Sequence, residues 1–257
     1  QNVIIVSSGA IALGARRLDM EKGGRASLAD AQAAASVGQI ILAGLWAELL
    51  GAEGLTAAQM LVTLDDLEDR RRYLNITATL ERLLGAGAIP VINENDSVAT
   101  EEIRFGDNDR LAARIAQAAG ANAVVLLSDV DGLYDRNPKQ AGAAIISEVS
   151  RIDARIRAMV EVGSSSGMGS GGMASKLEAA EIATRAGIGL AIASGLRDHP
   201  LKSLAGGAAM TWFVPKDGAN ARKSWLGGRQ TVKGQIVVDA GAAKALKKGG
   251  SLLPAGA

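Results

Sequence analysis

The chain has 257 residues with no cysteine, a single histidine and only 3% aromatics, and each shortage removes a class of chemistry. Without cysteine there is no disulfide framework, no thiolate nucleophile and no thiolate zinc site. The lone histidine, His199, lies beside Pro200 in a loop-like stretch, which leaves a Ser-His nucleophile or a histidine metal centre little support. So few aromatics mean that the core must rest on Val, Ile, Leu and Ala. Long apolar runs are missing too: the best, Ile40 to Leu50, is cut at Glu48, short of the roughly 18 to 20 residues of a membrane span. These absences predict a soluble, cytoplasmic protein with no membrane role. The sequence opens on QNVIIVSSG, a strand already under way, so a segment upstream is expected.

Glycine is what the chain has in quantity, 32 of them, which gives freedom for tight turns and close backbone approach to a ligand. Charge is balanced overall at +1 but unevenly spread. Residues 222–257 hold seven Lys or Arg against one acid, whereas the rest of the chain is net acidic. The change of sign predicts a domain boundary near residue 220.

Apolar runs of strand length alternate with stretches of helical period. Strands are expected at 2–7, 56–62, 88–94, 123–128 and 189–194, and helices at 28–50, 64–84, 107–119 and 175–186. The first of these helices is apolar or small on nearly every side and is expected to be buried on most of them. Such alternation implies crossover connections and an α/β fold with a mainly parallel sheet, whose ligands bind at the carboxyl ends of the strands. Polar clusters fall at those ends: SSGA, NEND and SDVDG.

SGMGSGGMASK, residues 166–176, packs four glycines and a lysine into one polar stretch. It is no Walker loop, because Ser175 precedes Lys176 and Leu177 follows it. Gly167, Gly169 and Gly172 satisfy G-x-G-x-x-G, but without the strand and ribose-binding acid that a dinucleotide fingerprint requires. What remains is a loop of inward-pointing amides running into a helix, with Ser175 and Glu178 spaced as a capping box, and such helix starts beside a lysine hold phosphate. A plain surface loop is the alternative. In NENDSVATEEIRFGDND, Glu94, Asp96, Asp107 and Asp109 crowd one strand end, with Asn93, Asn95 and Asn108 among them. Carboxylates so close call for a cation or an amine ligand, unless Asp107 merely caps a helix and the others are solvated. In SDVDGLYDRNP the spacing of Asp129, Asp131 and Gly132 fails the calcium-loop pattern and reads as a rigid turn able to line a nucleotide pocket.

VSSGAIALG, VINENDSVATEEIRFGDND, LSDVDGLYDRNP and GMGSGGMASKLEAA, in that order and spacing, resemble the amino acid kinase family, and within it the members that act on glutamate. The resemblance covers nearly all of residues 3–220. It implies a three-layer αβα sandwich over residues 1–219, ATP as co-substrate with Mg²⁺, and phosphorylation of the side-chain carboxylate of L-glutamate. Such an acceptor is ionised at neutral pH and needs neither a histidine base nor a covalent nucleophile. By position, the resemblance gives Lys176 and Asp109 catalytic roles, and gives Ser8, Asp96 and Asn108, with Asp107 nearby, the glutamate. Ser128, Asp129 and the run Gly169, Ser170, Gly171, Gly172, Met173, Ala174, Ser175 and Lys176 would hold ATP. Members of the family also carry a strand ending in Lys-x-Gly-Ser ahead of these motifs, and the sequence starts after it. Residues 220–257 resemble a linker and the opening half of a small β-rich PUA domain, an RNA-binding type of module; at this length RNA binding is not expected. A homo-oligomer and inhibition by proline are further expectations of the family. The competing readings are a sibling kinase for aspartate, acetylglutamate, carbamate or UMP, and a non-catalytic regulatory or RNA-binding protein that keeps the fold.

Overall fold

Strand pairing sorts the alternating runs into two sheets. In the computed structural model of the chain, the described residues are 2–98, 108–163, 170–216 and 238–247. Two compact units are present, residues 1–227 and 228–257. Asp107, Gly167, Gly169 and both sides of the expected boundary at 219/220 lie outside the described residues. In the second unit a helix spans Ala240–Lys247, started by Asp239, whose carboxylate accepts from the Ala242 amide at 2.6 Å.

In the first unit, β1 (Ile5–Val6), β3 (Ala88–Glu94) and β2 (Thr56–Val62) form one sheet in that order, all parallel. β4 (Ala123–Ser128), β6 (Gly189–Ser194), β7 (Met210–Phe213) and β5 (Glu148–Val149) form the second. In it β6 and β7 are antiparallel and the other pairs parallel. The α/β architecture expected from the alternation is thus present, split over two sheets among the described residues. α5 (Asn108–Ala119) serves both: Leu111 and Ile115 pack with Val62, Leu67, Leu80 and Ile92 of the first core, and Ala113 and Ala116 with Val124, Leu190 and Phe213 of the second.

α1 (Ala10–Arg17) follows β1 through Gly9, whose φ of 110° is open to glycine at little cost. It crosses α2 (Leu28–Ala52) at glycines: a Cβ on Gly38 would fall 1.7 Å from the Ala10 carbonyl oxygen, and one on Gly14 1.7 Å from that of Ala34. The expectation that α2 is buried on most sides is corrected. Only the face carrying Ala34, Ala35, Gly38 and Leu42 is covered, and Ile40 is 77% exposed. By length and apolarity α2 also meets the minimum for crossing a membrane, which the reading that stopped at Glu48 did not see. An isolated acid does not interrupt a helix 25 residues long.

The helix expected at 64–84 is two. α3 (Leu64–Glu68) is opened by a capping box between Thr63 and Asp66, and Asp69 ends it and caps α4 (Arg70–Gly85) through the Arg72 amide at 2.9 Å. Further α-helices among the described residues are α6 (Ala154–Gly163), α7 (Ser170–Arg185) and α8 (Pro200–Ala205). α7 corrects a further expectation, because it begins at Ser170 rather than 175. Two glycines in its first turns cost about 1 kcal/mol each against alanine, yet the helix is carried by packing, with Met173, Ala174 and Leu177 set against the second core.

Candidate active site

Parallel strands bring their carboxyl ends to one side, so the loops after β1 and β3 meet the start of α5 there. Asp109 is the second residue of α5, where unpaired amides and the helix dipole favour a carboxylate. Its Oδ2 accepts from Lys176 Nζ at 2.8 Å and from Ser175 Oγ at 3.0 Å. Two motifs 67 residues apart in sequence thereby meet. The pair is largely shielded, with Lys176 13% and Asp109 22% exposed, so its Coulomb attraction is less screened than that of a surface pair. Ser175 does not cap a helix as the sequence suggested. It sits inside α7, where its one hydroxyl proton is shared between Asp109 Oδ2 and the Gly172 carbonyl, at 3.0 Å from each. The capping-box spacing was real, but the helix had already begun one and a half turns earlier.

Beside this pair runs a ring of hydrogen bonds. Asn108 Nδ2 donates to the Ser7 carbonyl at 3.2 Å and to Asn93 Oδ1 at 3.1 Å. Asn93, almost fully buried at the end of β3, donates in turn to Gln39 Oε1 at 2.8 Å, and Trp46 Nε1 donates to Ser7 Oγ at 2.9 Å. Gln39 and Trp46 are seven residues apart, two turns of α2, and so share a face. That face fixes both loops at once. Ser8 and Gly9 stand exposed next to Ser7. Asn108 Oδ1 is buried and accepts nothing among the described residues.

Asp96 follows in the turn closed by the Val98 amide on the Asn95 carbonyl at 3.1 Å. Burial pushes its carboxyl above the ordinary value of 3.8, and the charge of Arg25 works against that rise. An amine placed there would remove the cost of ionising it.

Ser128 ends β4 and Asp129 follows it. Ser128 Oγ donates to Asp129 Oδ1 at 3.0 Å, and the Ser128 carbonyl accepts from the Gly195 amide at 2.7 Å. Arg197, in the loop after β6, donates to Asp131 at 2.8 Å and ties the two loops at this edge. Gly132 is held against Thr211, whose hydroxyl accepts from the Leu133 amide at 2.7 Å, leaving no room for a side chain at 132. Of the residues singled out by sequence, Asn108, Asp109, Ser175 and Lys176 are in one cluster with the Ser7 loop, and Ser128 and Asp129 bond among themselves and to β6. Gln39, Trp46, Arg25 and Arg197 were missed. Gln39 gave the one available signal, an amide in an otherwise apolar stretch. No group of three or more His, Asp or Glu gathers as a metal centre among the described residues.

A family model described as the amino acid kinase family matches residues 1–194. A glutamate 5-kinase from Sphingopyxis alaskensis is 67% identical over 256 residues, which is all of this chain and 69% of that protein. One from Zymomonas mobilis is 62% identical over 257 residues, all of this chain and 65% of that protein. Among solved structures, a uridylate kinase from Archaeoglobus fulgidus aligns with a TM-score of 0.50 and 18% identity over 83% of this chain and 85% of its own, a likeness of fold alone.

Proposed function

The chain belongs to the amino acid kinase family, and on that premise we propose that it transfers the γ-phosphoryl group of ATP to the side-chain carboxylate of L-glutamate, opening proline synthesis in the cytoplasm. A carboxylate oxygen attacks the γ-phosphorus in line, the bond to the bridging oxygen breaks, and ADP leaves with the electron pair. The product is L-glutamyl 5-phosphate. Because the attacking oxygen is already ionised, the chemistry asks for positioning and neutralisation of charge rather than a base.

The single observation that carries this reading is the 2.8 Å contact between Lys176 and Asp109, which joins the glycine-rich segment to the acid-rich one. Lys176 would neutralise charge on the transferring group, and Asp109 would hold its ammonium in place while Ser175 restrains Asp109. The amides at the start of α7, from Ser170, Gly171, Gly172, Met173 and Ala174, together with Gly169, Ser128 and Asp129, would hold the nucleotide. Asn108 and Ser8 would take up the glutamate, Asp96 its ammonium, and Asp107 would assist nearby. The proposal for Asp96 is supported by its half-buried, hard-to-ionise carboxyl. Mg²⁺ bound with ATP would supply further charge neutralisation. The hard carboxylate of Asp109 suits it, and a cation carried by phosphate oxygens and water needs only one or two such ligands.

Proline, an amino acid with the same ammonium and α-carboxylate, would compete for that pocket as a feedback inhibitor. A homo-oligomer is supported by the exposed apolar face of α2. We further propose a division at 219/220, with a partial PUA-like second part that is too short to bind RNA. ADP release with ATP, Mg²⁺ and a panel of acceptors tests the function, with hydroxylamine to trap the acyl phosphate as a hydroxamate. Glutamate should stand well above aspartate, acetylglutamate, carbamate and UMP. Release with glutamate no faster than with buffer sinks the reading.

A further inference from the structure

A second pocket lies at the opposite end of α7. It is a shallow depression of about 40 Å³, lined by Arg151, Arg157, Arg185 and Lys216 around Glu181, with Phe213 at the apolar side. The strand register fixes where it is. β7 runs antiparallel to β6, pairing Phe213 with Leu190, so Phe213 and its parallel partner Val149 lie at the end of the second sheet away from Ser194 and Ser128. Lys176 and Arg185 are nine residues apart on α7, about 13 Å along its axis. The pocket is therefore separate from the Lys176–Asp109 cluster.

Four cationic side chains face one carboxylate here, a local excess of three positive charges. Glu181 takes two of the four: Arg157 donates to its Oε1, and Arg185 stands 3.7 Å from its Oε2. Held across one carboxylate from α6 and α7, these guanidiniums have already surrendered part of their side-chain freedom. Arg151 follows β5 and Lys216 follows β7, and the Lys216 amide donates to the Thr184 carbonyl at 3.0 Å, which anchors its backbone to α7. One role for these cations, offsetting the carbonyl end of α7, needs only Arg185. Arg151 and Lys216 come from other elements and are left over by that account.

We propose that this pocket binds a small multivalent anion bearing phosphoryl or carboxylate groups, gripped by the Arg157–Arg185 pair fixed on Glu181 and closed by Arg151 and Lys216. Arginine forks suit such groups because two parallel N–H bonds can be made to one planar or tetrahedral anion. The apolar wall at Phe213 and Val149 sets a limit on size. The assignment is independent of the kinase reading.

Titration calorimetry with inorganic pyrophosphate, repeated with citrate, in Mg²⁺-free buffer of low ionic strength tests it. One binding event is expected whose affinity is unchanged within twofold in Lys176→Met and falls at least about tenfold in the double variant Arg151→Glu/Lys216→Glu. Preference for pyrophosphate over citrate assigns the phosphoryl source, and the reverse assigns the carboxylate. No binding of either at millimolar concentration overturns the proposal, as does binding lost in Lys176→Met and retained in the double variant. Should the double variant not melt like the parent, Arg151→Gln replaces it, with a weakening of about threefold expected and an unchanged affinity as the overturning result.

Discussion

Replacing Gly38 by alanine probes whether the α1–α2 crossing carries the candidate site. A Cβ at Gly38 would lie 1.7 Å from the Ala10 carbonyl oxygen and 2.6 Å from the Gly14 amide nitrogen, both backbone atoms, so no change of rotamer relieves the clash. Bringing the nearest contact out to 3.0 Å, below which Cβ atoms are essentially never found, means opening the helix pair by about 1.3 Å. α1 begins directly after Ser7, Ser8 and Gly9, and Gln39 is the very next residue of α2. The same opening therefore stretches the 2.9 Å Trp46–Ser7 and 2.8 Å Gln39–Asn93 hydrogen bonds past useful length. Overpacking costs about 1–3 kcal/mol and two weakened hydrogen bonds about 1 kcal/mol each, against roughly 1 kcal/mol returned by helix propensity. The net, about 3 kcal/mol, lowers Tm by about 6–12 °C in a unit of this size. Thermal melts give the stability, and steady-state kinetics should show the KM for glutamate rising more than that for ATP. Gly44→Ala is the control, since nothing lies within 4 Å of a Cβ there and the same helix should lose nothing. If Gly38→Ala and Gly44→Ala melt together, the interlocked crossing is wrong.

Lys176→Met should lower kcat by about a hundredfold or more with a small change in glutamate KM, as expected for a contact to charge that develops in the transition state; an effect on KM alone would reassign it to ground-state binding. Asp96→Asn should weaken glutamate binding. In the parent, burial raises the Asp96 pKa above 3.8, so the protonated form stabilises the fold below that value and the stabilisation is lost as pH rises through the raised one. Bound ammonium favours the carboxylate, so glutamate binding should expel a proton and weaken as pH falls toward 3.8, by calorimetry in buffers of different ionisation heat; the same pH profile in Asp96→Asn would exclude this carboxyl as its source. Gly172→Ala separates ligand from fold: the position is helical and open, so stability should rise by up to about 1 kcal/mol while the KM for ATP rises, and an unchanged KM would show that no ligand passes over that turn.

The parallel strands were legible because they are short, mostly apolar runs: 56–62, 88–94, 123–128 and 189–194 match residue for residue, whereas the run expected at 2–7 is a strand only over Ile5–Val6. Other elements were not. β5 and β7 are two and four residues long: β5 becomes a strand only by pairing with β7, more than sixty residues on, and β7 by pairing with β5 and β6. The break at Asp69 was hidden because an aspartate serves equally as a helix residue and as a cap, and only the Arg72 amide it accepts from decides between them. The early start of α7 ran against glycine propensity, and packing prevailed. For the site, the chemistry of Asp109 and Lys176 was readable from their motifs, whereas Gln39 and Trp46, the partners of Asn93 and Ser7, were not, because α2 has too little polar pattern to announce which face meets the loops.

That want of pattern is itself a consequence of what α2 does. One face must be glycine and alanine to admit α1 and must also offer Gln39 and Trp46 to the loops after β1 and β3. The opposite side is left with Ala33, Ser36, Ile40, Gly44 and Ala47 in the open, small residues at intervals of three and four around one large one. Such a stripe admits a second helix at short distance. A copy of the chain seated there would press on Ile40, the neighbour of Gln39, with only the width of one helix, about 10 Å, between the contact and the hydrogen-bonded ring. Assembly and the candidate glutamate pocket would then share a rigid element, so a change of oligomeric state would alter the KM for glutamate before it altered the placement of Lys176, which rests on α5 and α7 instead.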